Sequence, residues 1–559
     1  MKKKILIIGL IVFLFGLTAS GILFSYYKGD RKNYLNTTIN NFSKNHPQLS
    51  ISLKKVTKIL DVLYIFHQFI PSKIPTYSLL IDSNDLEKLN TNLPQEGKKL
   101  TSEYKKFVPA QFIFNNKTYQ VKVRYRGDNP NHWQFDKKSW RIKFENKFEN
   151  QKAINLILPE DRYFFIEPWI SYMGQKLGLV TPEFTLVNLK VNNKLHGVYL
   201  KSEQWGKTFL ENYNLSPDAD LYGEAEFDKQ VSNLYADVYN FRKYTFNSSK
   251  PKNDVSNLKT LLDLLNNFSD QEFYKKIPDI IDMSNFLHWQ AQSTLAFSHS
   301  QKISHNLIAY FNPEINKFQF IPWDVAMADE EPVYPDINYN PLMTRILKNS
   351  DYMFQRNQIL WEYIKDQKNL EGDLNYFDNL YQNTRGAFYR DPLKIFPNLD
   401  FDLTVKKHRK RIITAQNKIK ELLNDARSQI KIQSKPDFEP TALVYFEIES
   451  NGFASIKLSQ IKLVLNQTAE LSLIIDSDNN QQLDFNDKKL GSFQADNNQY
   501  LINLENILIH TNRDIQKQSQ PFLLKPTKQG FFIISSKKEK PSNINIRLQN
   551  AITDKVINN

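Results

Sequence analysis

The 559-residue chain contains no cysteine. That excludes disulfides, thiolate metal sites and a cysteine nucleophile, and it suits an exported protein made without a disulfide-forming system. Other signatures are missing too. No G-x-S-x-G elbow, no H-E-x-x-H helix and no distinctive carboxylate pair occurs, so a hydrolase finds no support. Zinc-finger spacing and a concentrated Lys/Arg arm are also absent, so no nucleic-acid partner is expected. What remains is ample material for folded domains: 41% hydrophobic and 13% aromatic residues, in a length sufficient for two to four cores. The formal net charge of +13 favours acidic partners such as phosphates, nucleotides, anionic lipid or an envelope polymer.

Lys2, Lys3 and Lys4 precede an uncharged stretch, 5–27. About 20 such residues in a helix span the roughly 30 Å hydrocarbon core. The positive-inside rule then leaves everything after Lys28 outside the cytoplasm. A cleaved signal peptide is the competing reading, with Ala19-Ser20-Gly21 as the cut; the apolar run continues past it, which favours an uncleaved anchor over 1–28. Residues 29–75 read as a helical juxtamembrane segment, with Val56, Ile59, Leu60, Leu63, Phe66 and Ile70 at near-helical spacing.

The densest chemical signal lies at 121–145, VKVRYRGDNPNHWQFDKKSWRIKFE. Val121, Val123 and Tyr125 alternate with Lys122, Arg124 and Arg126; Trp140, Ile142 and Phe144 alternate with Arg141, Lys143 and Glu145. These are two half-buried strands joined across Gly127-Asp128-Asn129-Pro130. They gather Arg124, Arg126, Lys138, Arg141 and Lys143, a plausible seat for phosphates and equally readable as a solvated basic face. A second block spans 298–331. Leu307 to Tyr310 and Phe318 to Ile321 read as a hairpin, with Asn306 before the first strand and Asp324 after the second. A hairpin sets such flanking residues side by side, and an amide with a carboxylate suits a hard cation such as Mg²⁺ or Mn²⁺.

Taken in order, these blocks resemble the spore-coat CotH kinase family. The resemblance rests on Arg126-Gly127-Asp128, on Lys137-Lys138-Ser139-Trp140-Arg141-Ile142-Lys143-Phe144 and on Gly197-Val198-Tyr199 with the trailing Glu203. It is completed by Asn306, Tyr310 and Pro322-Trp323-Asp324. It covers about 76–425 and implies an α+β fold: an atypical kinase-like domain, an antiparallel sheet plus a helical lobe, over 76–430. It further implies ATP with Mg²⁺ or Mn²⁺ and phosphorylation of Ser or Thr on a surface or coat protein. Lys138 would contact phosphates, oriented by Glu203, with Arg124, Arg126 and Arg141 completing a cationic wall. Asn306 and Asp324 would hold the metal. Two departures stand out. Ala326 replaces a second Asp, and the region expected to carry the proton-accepting Asp reads Ser298-His299-Ser300-Gln301, which shifts the base role to His299 or His305. Asp329, Glu330 and Glu331 are possible replacement carboxylates. The rival reading is a non-catalytic envelope or coat assembly protein that keeps the fold.

From Ser434-Lys435-Pro436 onward short alternating segments predict a C-terminal β-sandwich over 436–559. Within it Asp476, Asp478, Asn480, Gln482, Asp484 and Asp487 fall at positions 1, 3, 5, 7, 9 and 12 of a calcium-type loop, with the Gln482 carbonyl serving at position 7. Gln481 stands where a Gly is usual and Asp487 where a bidentate Glu is usual; an Asn/Asp-rich turn is the plain alternative.

Overall fold

The computed structural model describes residues 58–224, 231–327, 335–336, 340–435, 443–494, 498–514, 523–537 and 541–557. The expected anchor, 1–28, lies outside them, as do Asp329, Glu330 and Glu331. Among the described residues no helix is long and apolar enough to cross a membrane. Two compact units are distinguished, 1–70 with 393–403, and 71–392 with 404–559. In the first, the described part of the juxtamembrane segment forms 3-10 turns, Lys58–Tyr64 and Phe66–Phe69, and not the α-helix expected there. The apolar residues Val62, Leu63, Ile65, Phe66, Phe69 and Ile70 crowd too closely to lie on one 3.6-residue stripe. Polar anchors serve in its place: Asp61 accepts the Asn398 amide at 2.6 Å, and the Tyr64 hydroxyl donates to Asp402 at 2.8 Å.

The second unit begins with β1 (Thr76–Leu80), β2 (Val108–Phe114), β3 (Lys117–Tyr125), β4 (Trp140–Phe148), β5 (Gln151–Ile157), β6 (Phe184–Val191) and β7 (Lys194–Glu203). The opening sheet was expected to be antiparallel. It closes into a barrel of order β1-β2-β3-β4-β5-β7-β6, sealed by parallel pairing of β1 with β6. The alternation read from sequence explains the interior: Tyr77, Leu79, Phe112, Val121, Val123, Ile142, Phe144, Ile154 and Leu156 fill it. Tight hairpins at Asn115-Asn116 and Asn192-Asn193 hold left-handed backbone, φ 49°, 60°, 47° and 63°, as two-residue loops require.

Helix α1 (Ser83–Thr91) covers one side. Helix α2 (Ile166–Lys176) begins only after Tyr163 and Phe164, which turn left-handed at φ 46° and 65°. The 3-10 turn Pro159–Arg162 that precedes it therefore projects Asp161 and Arg162 away from the helix. After the short α3 (Lys207–Asn212), β8 (Asp220–Glu224), β9 (Phe241–Thr245), β10 (Ile308–Asn312) and β11 (Lys317–Phe320) form a second sheet, order β11-β10-β8-β9. Helices α4 (Ser256–Asn267), α5 (Asp270–Ile280), α6 (Met283–Leu295), α7 (Pro341–Lys348) and α8 (Ser350–Lys365) share its core through Leu261, Phe273, Phe286, Trp289, Phe318 and Ile346. Next come α9 (Gln367–Tyr389) and α10 (Asn398–Asn424); the latter was expected to continue to Ile430, which instead sits in a strand.

The tail is a two-sheet sandwich, as expected. One sheet is β12 (Ser428–Lys435), β13 (Leu443–Ser450), β20 (Thr527–Ser535), β15 (Leu471–Asp476) and β16 (Lys488–Phe493) in spatial order. The other is β17 (Gln499–Ile509), β14 (Ile456–Val464), β21 (Ser542–Asn550) and β22 (Val556–Ile557). Phe446, Leu458, Leu473, Ile502, Phe531 and Leu548 form the common core, and β18 (Asn512–Asp514) pairs with β19 (Leu523–Lys525) beside it.

Candidate nucleotide and metal site

The loop between β3 and β4 is built by its own motif residues. Gly127 has φ +89°, and a Cβ there would meet the His132 ring at 2.3 Å. That buried ring pairs with the Ser139 hydroxyl at 3.1 Å, and the hydroxyl also accepts the Leu158 amide at 3.2 Å. Burial first, with the nearby guanidinium charges, brings the imidazole down to about 4. Asp128 takes Lys105 at 2.6 Å.

The two lysines of the Lys137-Lys138 doublet are held differently. Lys137 is the buried lysine, 2.6 Å from Asp391, whose carboxylate also accepts the Val198 amide at 2.9 Å. Gly197 of the Gly-Val-Tyr motif, φ +97°, is needed because any Cβ would strike that carboxylate at 2.0 Å. Lys138 donates to the Phe135 carbonyl at 2.6 Å and lies over the Tyr125 ring. The expected Lys138–Glu203 pair is not formed. Glu203 holds Gln151 at 2.8 Å and Asn212 at 3.1 Å, beside a cavity of about 420 Å³ that Trp205 also lines. The register gives the reason. Trp140, Leu156 and Lys201 share a row; Lys138 lies two residues before it and Glu203 two after. At strand rise this separates them by about 13 Å.

The cationic wall does assemble. Arg124 and Arg141 are direct cross-strand partners on β3 and β4. Arg141 donates to Asn155 at 2.9 Å, and burial together with the charges of Arg124, Arg126 and Arg242 pushes its guanidinium well down. Arg124 donates to the Tyr125 carbonyl and lies over Phe107. Burial, then Arg162, lowers Arg126 to about 10, and among the described residues its buried Nε has no hydrogen-bond acceptor. Like charges held this close disfavour one another's charged form.

On the other side stand Asn306 and Asp324, both in left-handed backbone, φ +67° and +51°. The Asn306 amide nitrogen donates to the Glu224 carboxylate at 2.5 Å, and its side chain donates to the Ser300 carbonyl at 2.8 Å and the Asp324 carbonyl at 3.5 Å. The Asp324 carboxylate receives Arg162 at 2.9 Å, and Arg162 in turn pairs with Asp161, which also faces His132 at 3.5 Å. Burial raises Asp324, while Arg162, His305 and Arg126 oppose it. Glu224 on β8 and Glu167 on α2 are each pushed up to about 7, by burial first and then by Asp324. Glu167 accepts the Ala326 amide at 3.1 Å. Ser298, in the stretch without a carboxylate, bonds the Val325 carbonyl. The imidazole that senses Asp324 is that of His305, held by Ser304 at 2.8 Å; His299 lies on the same 298–306 segment.

Arg126, Asn306 and Asp324, nearly 200 positions apart, are thus brought to one place, with Arg124 and Arg141 alongside. Sequence reading missed Asp161, Arg162, Glu167 and Glu224. A Pro-Glu-Asp-Arg turn ending an apolar strand was the available signal for the first two. Asn306 and Asp324 offer the oxygen types that Mg²⁺ or Mn²⁺ takes, and the Asp324 carboxylate is engaged by Arg162.

A family model for CotH kinase protein matches residues 123–428. The chain belongs to the CotH kinase family. Every residue of the cluster lies inside that span, and the match ends where β12 begins, so the tail sandwich is an addition to the CotH kinase domain. Over 340 residues the chain is 22% identical to the inner spore coat protein H of Bacillus subtilis (strain 168), covering 58% of this chain and 90% of that protein. A crystal structure of the Helicobacter pylori proinflammatory kinase CtkA also matches, at 14% identity over 57% of this chain and 97% of that one, with a TM-score of 0.20.

The tail loop forms a separate acidic cluster. Ligand atoms of Asp476, Asp478 and Asp487 lie within 4.8 Å of one another. Asn480 bridges Asp478 and Asp484, both at 2.9 Å, and accepts the Gln482 amide at 2.6 Å. Gln481 takes the left-handed backbone, φ +61°, that glycine commonly supplies in such loops.

Proposed function

We propose that this CotH-family chain is an ATP-dependent protein kinase acting at the junction of the barrel and the second sheet. Phosphates would lie against Arg124, Arg126 and Arg141, with Mg²⁺ or Mn²⁺ held by Asn306 and Asp324. The cation would bridge phosphate oxygens and offset the charge that develops on transfer. The observation that carries this reading is Arg126: among the described residues its buried Nε has no acceptor, and it faces Asp324 across Arg162. The acceptor is a Ser or Thr of a surface or coat protein, outside the cytoplasm, with 1–28 as the anchor. The remaining base is an imidazole, and His305 suits it better than His299: burial lowers its pKa, so it is neutral and able to accept the hydroxyl proton at pH 7. The acidic tail loop is assigned weak calcium binding.

One observation favours the non-catalytic reading: Ala326 and the 298–301 segment bring no carboxylate, and Ser298 is occupied with Val325. Incubating the chain with labelled ATP, a divalent cation and casein-like acceptors decides between them. Label transferred by the wild type and lost in Asp324→Ala supports the kinase; nucleotide bound without transfer supports the assembly protein.

A further inference from the structure

Beyond the family domain, the tail sandwich reaches back into it through a fully buried ion cluster, besides the Asn550 side chain that donates to the Leu423 carbonyl at 2.8 Å. Arg513, on β18, pairs with the carboxylate of Asp336. The same carboxylate takes Arg356 of α8 at 2.7 Å, and all three side chains are at most 5% exposed. Burial would raise Asp336, but the two guanidinium groups outweigh it and hold the carboxyl below its usual range. Arg513 is fixed further by the Phe453 carbonyl at 2.9 Å and by stacking 3.5 Å from the Phe453 ring, both within the tail.

Arg356 carries the contact onward. It donates to Gln290 and Thr294, both at 2.8 Å, on the last turns of α6. That helix leads directly into the 298–306 segment. There the Ser298 amide is held by the Ser293 carbonyl at 2.9 Å, Ser298 bonds Val325, and Asn306 is tied to Ser300. A chain of polar contacts, buried as far as α6 and half-buried beyond it, therefore runs from a tail arginine to both residues assigned to the cation, entering one through α6 and the other through Val325. Two cations share one buried carboxylate, so deleting Arg513 leaves a neutral Arg356–Asp336 pair in which the carboxylate oxygen that Arg513 held has lost its donor.

We infer that the tail sandwich is a positioning element for the phosphate-and-metal site, acting through Arg513, Asp336 and Arg356. The functional meaning rests on the kinase reading; the mechanical coupling does not. The tail is therefore part of the working kinase unit, not an independent surface-binding module.

Hydrogen exchange on the full chain tests it, reading the Asn306 amide, bonded to Glu224, and the Ala326 amide, bonded to Glu167. Arg513→Met is expected to speed exchange at both by about tenfold while the Val123 and Ile142 amides inside the barrel keep their rates. Arg513→Lys, which keeps a cation, gives a smaller shift at the same two sites and serves if the Met variant does not fold. His510→Ala removes the other tail contact with α8, 3.0 Å to Asp351, and should leave them unmoved. Unchanged exchange at Asn306 and Ala326, an equal rise in the barrel, or an equal effect of His510→Ala overturns the inference. A Mg-ATP titration run alongside separates the two claims: no ATP binding by the wild type, with both amides responding, removes the kinase reading and keeps the coupling. ATP binding with both amides silent removes only the coupling.

Discussion

The protein holds two oxygen-rich clusters, and they are made in opposite ways. In the tail loop, acidic and amide residues within twelve positions satisfy each other: Asp487 accepts the Ser477 and Asp484 amides, both at 3.0 Å, and Asp478 accepts that of Asn480. Most of that loop is open to water. At the other cluster Asp324 is half-buried, and its compensation comes from Arg162, on a turn 162 positions away. Local acidic loops can exist without a ligand because water and backbone amides screen them. A half-buried carboxylate facing a half-buried guanidinium is a more specific construction, since each charge, partly stripped of water, is compensated by the other.

The sharpest break of that comparison is Asp324→Ala, which should weaken Mg²⁺- or Mn²⁺-dependent nucleotide binding at least about 100-fold by titration calorimetry. An unchanged affinity would refute the metal assignment. Next in size, Arg162→Met takes the 2.9 Å partner from the half-buried Asp324, and should lower stability by about 1–3 kcal/mol in denaturant titrations. No comparable loss is expected from Asp478→Ala in the tail loop.

Acid should separate the clusters as well. His132 titrates at about 4 in the folded chain, below its ordinary 6.5. Below pH 6.5 the unfolded chain takes a proton that the folded one refuses, so stability falls as pH drops from 6.5 towards 4, by at most about 3 kcal/mol. His132→Gln should flatten that slope; a wild-type slope that survives the substitution assigns it elsewhere. The smallest effect is calcium. At ten times a millimolar dissociation constant it would add about 1.4 kcal/mol, seen as a small rise in the tail's unfolding temperature. Asp487→Ala should abolish the rise, and no rise in the wild type would leave the loop an Asx-rich turn.

Much of this was legible beforehand. The alternation in 121–125 and 140–144 predicted β3 and β4, and the spacing of short strands predicted the tail sandwich. The pairing of Asn306 with Asp324 followed from a hairpin placing its flanks together. Lys137 and Lys138 show where pattern reading stops. They sit before the strand begins, where alternation assigns no side, and only Asp391, arriving after α9, decides which is buried. Glu203 failed for a related reason: its type suggested an ion pair, but register set it four residue steps from the lysine.

By itself the sequence determined the strands, most helices and the identity of the charged residues, because those depend on periodicity and turn chemistry within a few neighbours. Tertiary structure alone decided the closure of β1 on β6, the choice of Lys137 over Lys138, and the meeting of Arg126, Arg162, Glu167, Glu224 and Asp324. Those outcomes are set by burial and by the balance of charge among residues far apart in the chain, quantities that no local pattern encodes.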